Sequence, residues 1–514
     1  MTWLHTWAGI TLGWILYLMF VTGTAGYFDT EIDRWMQPEL PPVSPVDTAH
    51  VAKTIVATLE QEAPKASRWY ISLPADRNQP YPSVFWQGAS VEDGARSASG
   101  SEMFDAHTGE ILTPRDTGGG QTLYQMHWRL HYLSRKHSDK LIGIATLFMM
   151  VGLITGIVIH KNIFVDFFTL RLGKGRRSWL DAHNFLSVFA LPFHLMITYS
   201  GLLFLGFSLM PYIVDSQYPD EGRRQFYAEV FDPPGLVDAR GENAVLRPVE
   251  EFIAQAEQRW GRGRVQTLDI HNPSDADSRV VLYESISATV STNAERLVFA
   301  GASGELLHVD PADASLIKHV RDVFLGLHEG LFASPLVRWI YFLSGLMGTG
   351  MVATGLILWA SKRRQKNESK HSKPHKGLRL VETLNAATIV GVPLAVGTYF
   401  MANRLLPVAM DNRGQWEVHI FFLTWLATLA YACVRPRHRV WQEQLAIAAC
   451  VYLSLPLLTA LTTERALWHS VSSGDWVFAG VEFTLLTLGL CFTAAARQVG
   501  KVQLPSRPVK REKA

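Results

Sequence analysis

The histidines are the residues of this chain best suited to chemistry, and four of them are regularly spaced. His5 precedes Thr22 by 17 residues, and His183 precedes Ser200 by the same 17. His131, in "LHY", lies 24 residues before Thr155, and His328, in "LHE", lies 26 before Thr354. Each interval borders an apolar run, so the imidazoles fall at the edges of segments able to cross a bilayer. Ionisable groups in such places are costly and usually mark a function. Neutral imidazoles on facing helices suit a metal or a haem, with one ring on each side of the macrocycle. Glycine makes room for a flat ring against a backbone, and Gly9, Gly13, Gly23, Gly152, Gly156, Gly345, Gly348, Gly350 and Gly355 fall on the same runs. The chain has no CxxCH, so a haem here would not be covalently attached. Tetrahedral zinc lacks a carboxylate or cysteine partner.

Three further histidines are weaker candidates. His194 lies 11 residues after His183, on the same helix face roughly 16 Å deeper. His160 ends the second apolar run and could lie near it. Either could replace a ligand of the inner pair or serve a third site. His127, one turn before His131, could replace it or contact a haem propionate or a substrate. The bland alternative for each is a satisfied polar side chain at a membrane interface.

The elements that must position these residues follow from composition. Of 514 residues 48% are apolar and 18% charged, a profile for a protein part membrane and part soluble. Eight runs can span a bilayer, near 3–27, 139–160, 183–210, 336–360, 380–402, 417–434, 442–462 and 476–496. Basic residues follow every second run. Lys161, Arg171, Lys174, Arg176 and Arg177 follow the second, "SKRRQKNESKHSKPHK" the fourth, "RPRHR" the sixth, and Lys501, Arg507, Lys510 and Arg511 the eighth. The positive-inside rule then puts both termini in the cytoplasm. The net charge of +2 hides this asymmetry, and nothing in it points to a nucleic-acid partner. The first run, too long for a signal-peptide core and without a basic n-region, reads as an uncleaved helix.

The expected fold class is a polytopic α-helical membrane protein of about eight spans with two repeat-related α+β outer domains. Its layout is a first span at 1–27, an outer domain at 28–138, a second span at 139–160, a cytoplasmic loop at 161–182 and a third span at 183–210. A second outer domain at 211–335 and a fourth span at 336–360 follow. The chain closes with a basic cytoplasmic loop at 361–379, a four-helix membrane domain at 380–500 and a basic tail at 501–514. Strand alternation appears in "RWYISL", "SVFW", "RVQTLDI" and "RVVLYE", with helices expected near 47–62 and 248–260. Cys433, Cys450 and Cys491 all fall in spans, which leaves the outer domains without a disulfide.

An internal repeat underlies this layout. "MFDAHTGEIL" (103–112) matches "LVFAGASGELL" (297–307), "ITGIVIHK" matches "ATGLILWA", and "VTG" matches "YSG". The chain to about residue 360 reads as helix, outer domain, helix, used twice. Straight helices would leave the inner pair (His5, His183) and the outer pair (His131, His328) on the order of 40 Å apart. Either the helix breaks near "LSRKHSD" or His194 serves an intermediate centre.

"LHTWAGITLGWILYLMFVTG", "WRLHY", "LDAHNFLSVFALPF", "LHEGLF" and "ATGLILW" resemble the membrane helices of PepSY-associated transmembrane proteins, and "MFDAHTGEIL" resembles the end of a PepSY-type domain. The resemblance covers about residues 1–362. It implies a bacterial inner-membrane protein with two PepSY-like periplasmic domains, akin to ferrisiderophore reductases that carry b-type haems. His5, His131, His183 and His328 would then ligate two haems b, and the substrate would be a ferric siderophore or other ferric chelate. No G-x-G-x-x-G follows a strand, so the donor would be a membrane quinol or a separate cytoplasmic reductase. Two other readings stand beside this one. The outer domains could bind a peptide or protease as a membrane-anchored, non-enzymatic regulator, or the eight-helix body could be a permease for the iron chelate or haem. The last four helices have no counterpart in the shortest family members, and Glu417, His419, Glu464, His469 and Glu482 there read as scattered structural polar residues.

Overall fold

The computed structural model describes residues 1–88, 99–160, 171, 173, 175–218, 224–227, 232–311, 315–369 and 375–503. Lys161, Lys174, Arg507, Lys510 and Arg511, and residues 370–374 of the basic loop, lie outside these. The chain forms two compact units, one of residues 1–39, 115–195 and 341–514 and the other of 40–114 and 196–340.

The helices of the first repeat are α1 (Thr2–Thr11), α2 (Gly13–Gly26), α3 (Asp29–Met36), α4 (Thr48–Glu62), α5 (Gly119–Trp128) and α6 (Arg135–Ile159). Those of the second are α7 (Arg176–Phe189), α8 (Leu191–Phe204), α9 (Gly206–Leu209), α10 (Tyr212–Gln217), α11 (Val249–Trp260), α12 (Leu316–Glu329) and α13 (Pro335–Ser369). The C-terminal region adds α14 (Lys376–Ile389), α15 (Gly391–Leu405), α16 (Arg413–Val434), α17 (Arg437–Thr462), α18 (Leu467–Ser472) and α19 (Trp476–Gln503). Among the described residues six helices are long and apolar enough to cross a membrane, or up to eight if each bent pair is one span.

Those bent pairs depart from the straight first and third spans expected from sequence. α1 and α2 meet at 64°, and α7 and α8 at 68°. The hinge residues, Leu12 and Ala190, have φ/ψ of −122/10° and −99/20°. They are separated by the same interval as His5 and His183, so the bend belongs to the repeat. In the second copy Pro192 has no N–H to offer the Val188 carbonyl, which favours a break there. In the first, Gly13 lets the Leu356 side chain approach, for a Cβ would stand 2.8 Å from Leu356 Cδ2.

Within the first unit the C-terminal helices pack on the first repeat through one apolar core. Trp35, Met36, Leu123 and Met126 from α3 and α5 meet Val392, Tyr399, Phe400, Phe421 and Phe478. Trp35 is fully buried, with Phe400 and Phe478 ring centroids 5.5 and 6.4 Å away.

The second unit is built on a single antiparallel sheet. Its strands are β1 (Ala66–Ser72), β2 (Ser83–Gly88), β3 (Gly100–Phe104), β4 (Ile111–Leu112), β5 (Val265–His271), β6 (Arg279–Glu284), β7 (Arg296–Ala300) and β8 (Leu306–Asp310), in the order β4-β3-β2-β1-β5-β6-β7-β8. The two outer segments, read from sequence as two domains, therefore share one sheet. Joining β1 to β5 pairs two edges that separate sheets would leave open. Alternate residues of the central strands, Trp69, Ile71, Leu268 and Ile270, bury against Ile55 and Leu59 of α4 and Phe252 and Ile253 of α11. The matched "DAHTGE" and "AGASGE" stretches are equivalent hairpin turns. Gly109 donates to the Asp105 carbonyl and Gly304 to that of Ala300, while Asp105 and Ala300 donate to Glu110 and Glu305. Both glycines have positive φ, +72° and +81°, a conformation that costs other residues strain.

Candidate functional site

His5 from α1 and His183 from α7 both line a cavity of about 480 Å³ in the first unit. Their ring centroids are 6.4 Å apart and the rings are inclined at 71°. The two have matching environments. His5 Nδ1 lies 2.9 Å from the Gly152 carbonyl and 3.3 Å from Thr155 Oγ1. His183 Nδ1 lies 2.9 Å from the Met351 carbonyl and 3.1 Å from Thr354 Oγ1. A carbonyl can only accept, so each Nδ1 carries the proton and donates it. The threonine hydroxyls bond back to Val151 and Gly350 of their own helices, which turns their lone pairs to the imidazoles. Each Nε2 is thus left as the basic nitrogen, the arrangement by which a metal-ligating histidine is oriented and its tautomer fixed.

Glycines shape the space between them. A Cβ on Gly156 would sit 3.3 Å from His5 Cε1, and one on Gly355 the same 3.3 Å from His183 Cε1. Gly9 and Gly152 also line the cavity, and a Cβ on either would meet nothing within 4 Å. Their missing side chains are part of the void. Most of the wall is apolar, including Ile10, Phe148, Met149, Leu153 and Leu356. Arg176, Lys362, Arg363 and His160 complete it, with the Arg363 guanidinium 3.5 Å over the Trp359 ring. Among the described residues no group of three or more His, Cys, Asp or Glu could hold a metal ion. Two opposed imidazoles can hold a metal whose remaining ligands arrive with it. With metal–nitrogen bonds of about 2 Å, ring centres 6.4 Å apart are close enough for both imidazoles to reach one metal ion.

The remaining histidines are arranged differently from the intervals in sequence. His328 lies two residues before the C-cap of α12, and its Nδ1 is 2.8 Å from Ser200 Oγ. The residue in that place in the first repeat is His127, two before the C-cap of α5, with Nδ1 2.7 Å from the Met19 carbonyl. A Cβ on Gly23 would collide with its ring, at 2.4 Å from Nδ1. Pairing His131 with His328 is therefore corrected to pairing His127 with it. Counting back from Thr155 misled because the link between α5 and α6, residues 129–134, is one residue longer than its counterpart 330–334, and Thr155 stands one residue further into α6 than Thr354 into α13. His131 sits exposed in that break, stacked on Phe422 at 5.9 Å. Its neighbour Tyr132 bonds His419 Nδ1 at 2.6 Å. His194 is fully buried beside Phe20 and Phe193 and outside the cavity lining, whereas His160 caps α6 and joins that lining.

The C-terminal polar residues are less scattered than they look in sequence. Arg413 and Glu417, one turn apart on α16 and both fully buried, form an ion pair at 2.6 Å. Glu417 also accepts from Thr117 at 2.6 Å, from the Gly118 N–H at 2.9 Å and from Asn403 at 2.8 Å. Arg34 of α3 pairs with the buried Asp475. The R-x-x-x-E spacing was the available signal for the first of these.

A comparison with curated proteins found no match. The family profile described as the PepSY-associated TM region matches residues 2–362, about 70% of the chain and both copies of the repeat. The chain, a multi-pass membrane protein with a separate antiparallel sheet, belongs to that PepSY-associated TM region family.

Proposed function

We propose that this protein is a haem-b electron carrier of the bacterial inner membrane that reduces a ferric siderophore, or another ferric chelate, on the periplasmic side. The observation that carries the reading is the His5–His183 pair: two repeat-equivalent imidazoles with ring centres 6.4 Å apart, each held by a backbone carbonyl. A haem bound there would supply one-electron transfer between its ferric and ferrous states. The chain's own residues do the rest. Gly152 and Met351 carbonyls fix the tautomer and orientation of the two rings, the glycines leave room for a flat ligand, and most of the wall is apolar. Arg176, Lys362 and Arg363 would balance carboxylates at the rim.

In this reading each bent pair is one span, giving eight, with both termini cytoplasmic and the sheet unit a pair of PepSY-like periplasmic halves. Electrons come from a membrane quinol or a separate cytoplasmic reductase. A second haem, ligated by histidines outside this cavity, completes the pair that the family resemblance implies. Purified protein should show b-type absorbance that changes on dithionite addition, with two haems per chain by pyridine haemochrome. His5→Ala and His183→Ala should each lower that count while a His131→Ala variant keeps it. Protein without b-type absorbance would end the proposal.

A further inference from the structure

The two copies of the repeat differ in what covers them. In the first, Trp35 on α3 and Leu123 on α5 are fully buried under the C-terminal helices, with Tyr399 donating to the Gly119 carbonyl at 2.7 Å. Counting 13 residues from Ser200, as Trp35 stands from Thr22, reaches Ile213 on α10, which is 59% exposed, beside Tyr212 at 84%. On α12, counted back from His328 as α5 is from His127, Val320 takes the place of Gly119 and is 47% exposed. The extra turn at the start of α12 adds Leu316 at 77% and Ile317 at 83%.

These side chains form a stripe. At about 100° per residue, Leu316, Ile317, Val320, Phe324 and Leu327 share an arc of roughly 100° on α12. Arg321 borders it, and no acidic residue falls within it. The opposite side is fixed to its own unit: Gly326 lies so close to the Val290 carbonyl that no Cβ would fit, and the Thr292 N–H bonds the Asp322 carbonyl at 3.2 Å. Only residues 330–334 separate α12 from α13, a candidate span, so the tether reaches at most about 17 Å. Phe324 meets Tyr199 of α8 edge-on at 5.1 Å, and tyrosine is one of the residues enriched at headgroup level.

We propose that the exposed faces of α10 and of α12 each lie in membrane lipid, as an interfacial amphipathic helix does. The C-terminal helices occupy in the first copy the place that lipid takes in the second. This gives residues 376–503 a role as a cover for α3 and α5, and it does not depend on whether haem binds.

The test uses the full chain in phospholipid vesicles, with Cys433, Cys450 and Cys491 replaced by serine or alanine. A nitroxide is placed singly by I317C, by Y212C and, in the exposed β7–β8 turn, by E305C. Relaxation by oxygen, which concentrates in lipid, is compared with relaxation by a water-soluble nickel chelate. Oxygen should dominate severalfold at 317 and 212 and the order should reverse at 305. Dominance of the nickel chelate at 317 and 212 would overturn the proposal. So would shielding from both reagents, which would mean that a second copy or another protein covers this face.

Discussion

At the residue scale, the site depends on what each imidazole and glycine leaves open. Replacing Gly152 by leucine would fill space where a Cβ meets nothing within 4 Å. Gly152→Leu should fold with near-normal yield yet lose bound haem, as haemochrome analysis against protein mass would show. In the C-terminal region, Arg413→Met strands the buried Glu417 carboxylate. Leaving such a charge unpaired costs about 3–5 kcal/mol, so the melting temperature of the detergent-solubilised protein should fall clearly, and the double variant with Glu417→Leu should recover part of the loss. In the sheet, burial pushes the Asp269 carboxyl up, but hydrogen bonds from His271 and Arg68 outweigh it and hold the group below the usual aspartate range. A depressed carboxyl stabilises the fold above its unfolded pKa of about 3.9 and loses that contribution as pH falls through the folded value. Asp269→Asn should therefore be less stable at neutral pH and flatter in its acid response, read from the β-sheet amide I band on heating between neutral pH and pH 2. His5 and His183 were legible because the same 17-residue interval, with the same hinge inside it, occurs in both copies. His127 was not, because its relation to His328 depends on where a helix ends, and interval counting across a loop cannot show that.

At the scale of elements, the hairpin turns show how far a local pattern reaches. "HTGE" and "ASGE" call for a left-handed glycine, and the structure has one in each. Valine at either position would be strained, and its Cβ would also meet Thr54 Cγ2 at 2.5 Å in the first copy or Arg247 Cδ at 3.2 Å in the second. Gly109→Val and Gly304→Val should each cost about 1–3 kcal/mol, measurable as a lower urea midpoint for loss of sheet signal. β1, β2, β5 and β6 were readable from alternation, and α4 and α11 lie where helices were expected. The bends at Leu12 and Ala190 were not. An apolar run of the right length looks the same straight or broken, and only Pro192 hinted at the second hinge. The union of the strands into one sheet was equally hidden, since β1 and β5 are nearly 200 residues apart.

At the scale of the whole molecule, the C-terminal helices are part of the fold that surrounds the first repeat. Trp35 alone, fully buried against Phe400 and Phe478, is worth about 3–5 kcal/mol by the usual cost of truncating such a side chain. A chain ending at residue 375 should expose this face and elute from size exclusion as aggregate, while the full chain elutes as a single peak. The seam between the halves of the sheet has a different implication. Tyr70 stands opposite Asp269, Arg68 opposite His271 and Ser72 opposite Thr267, and Tyr70 and Asp269 are each the fifth residue of their strand, so the paired positions of β1 and β5 are symmetric about them. A contact of that kind is isologous. Through this edge the two copies meet within one chain as two identical subunits would meet in a twofold dimer.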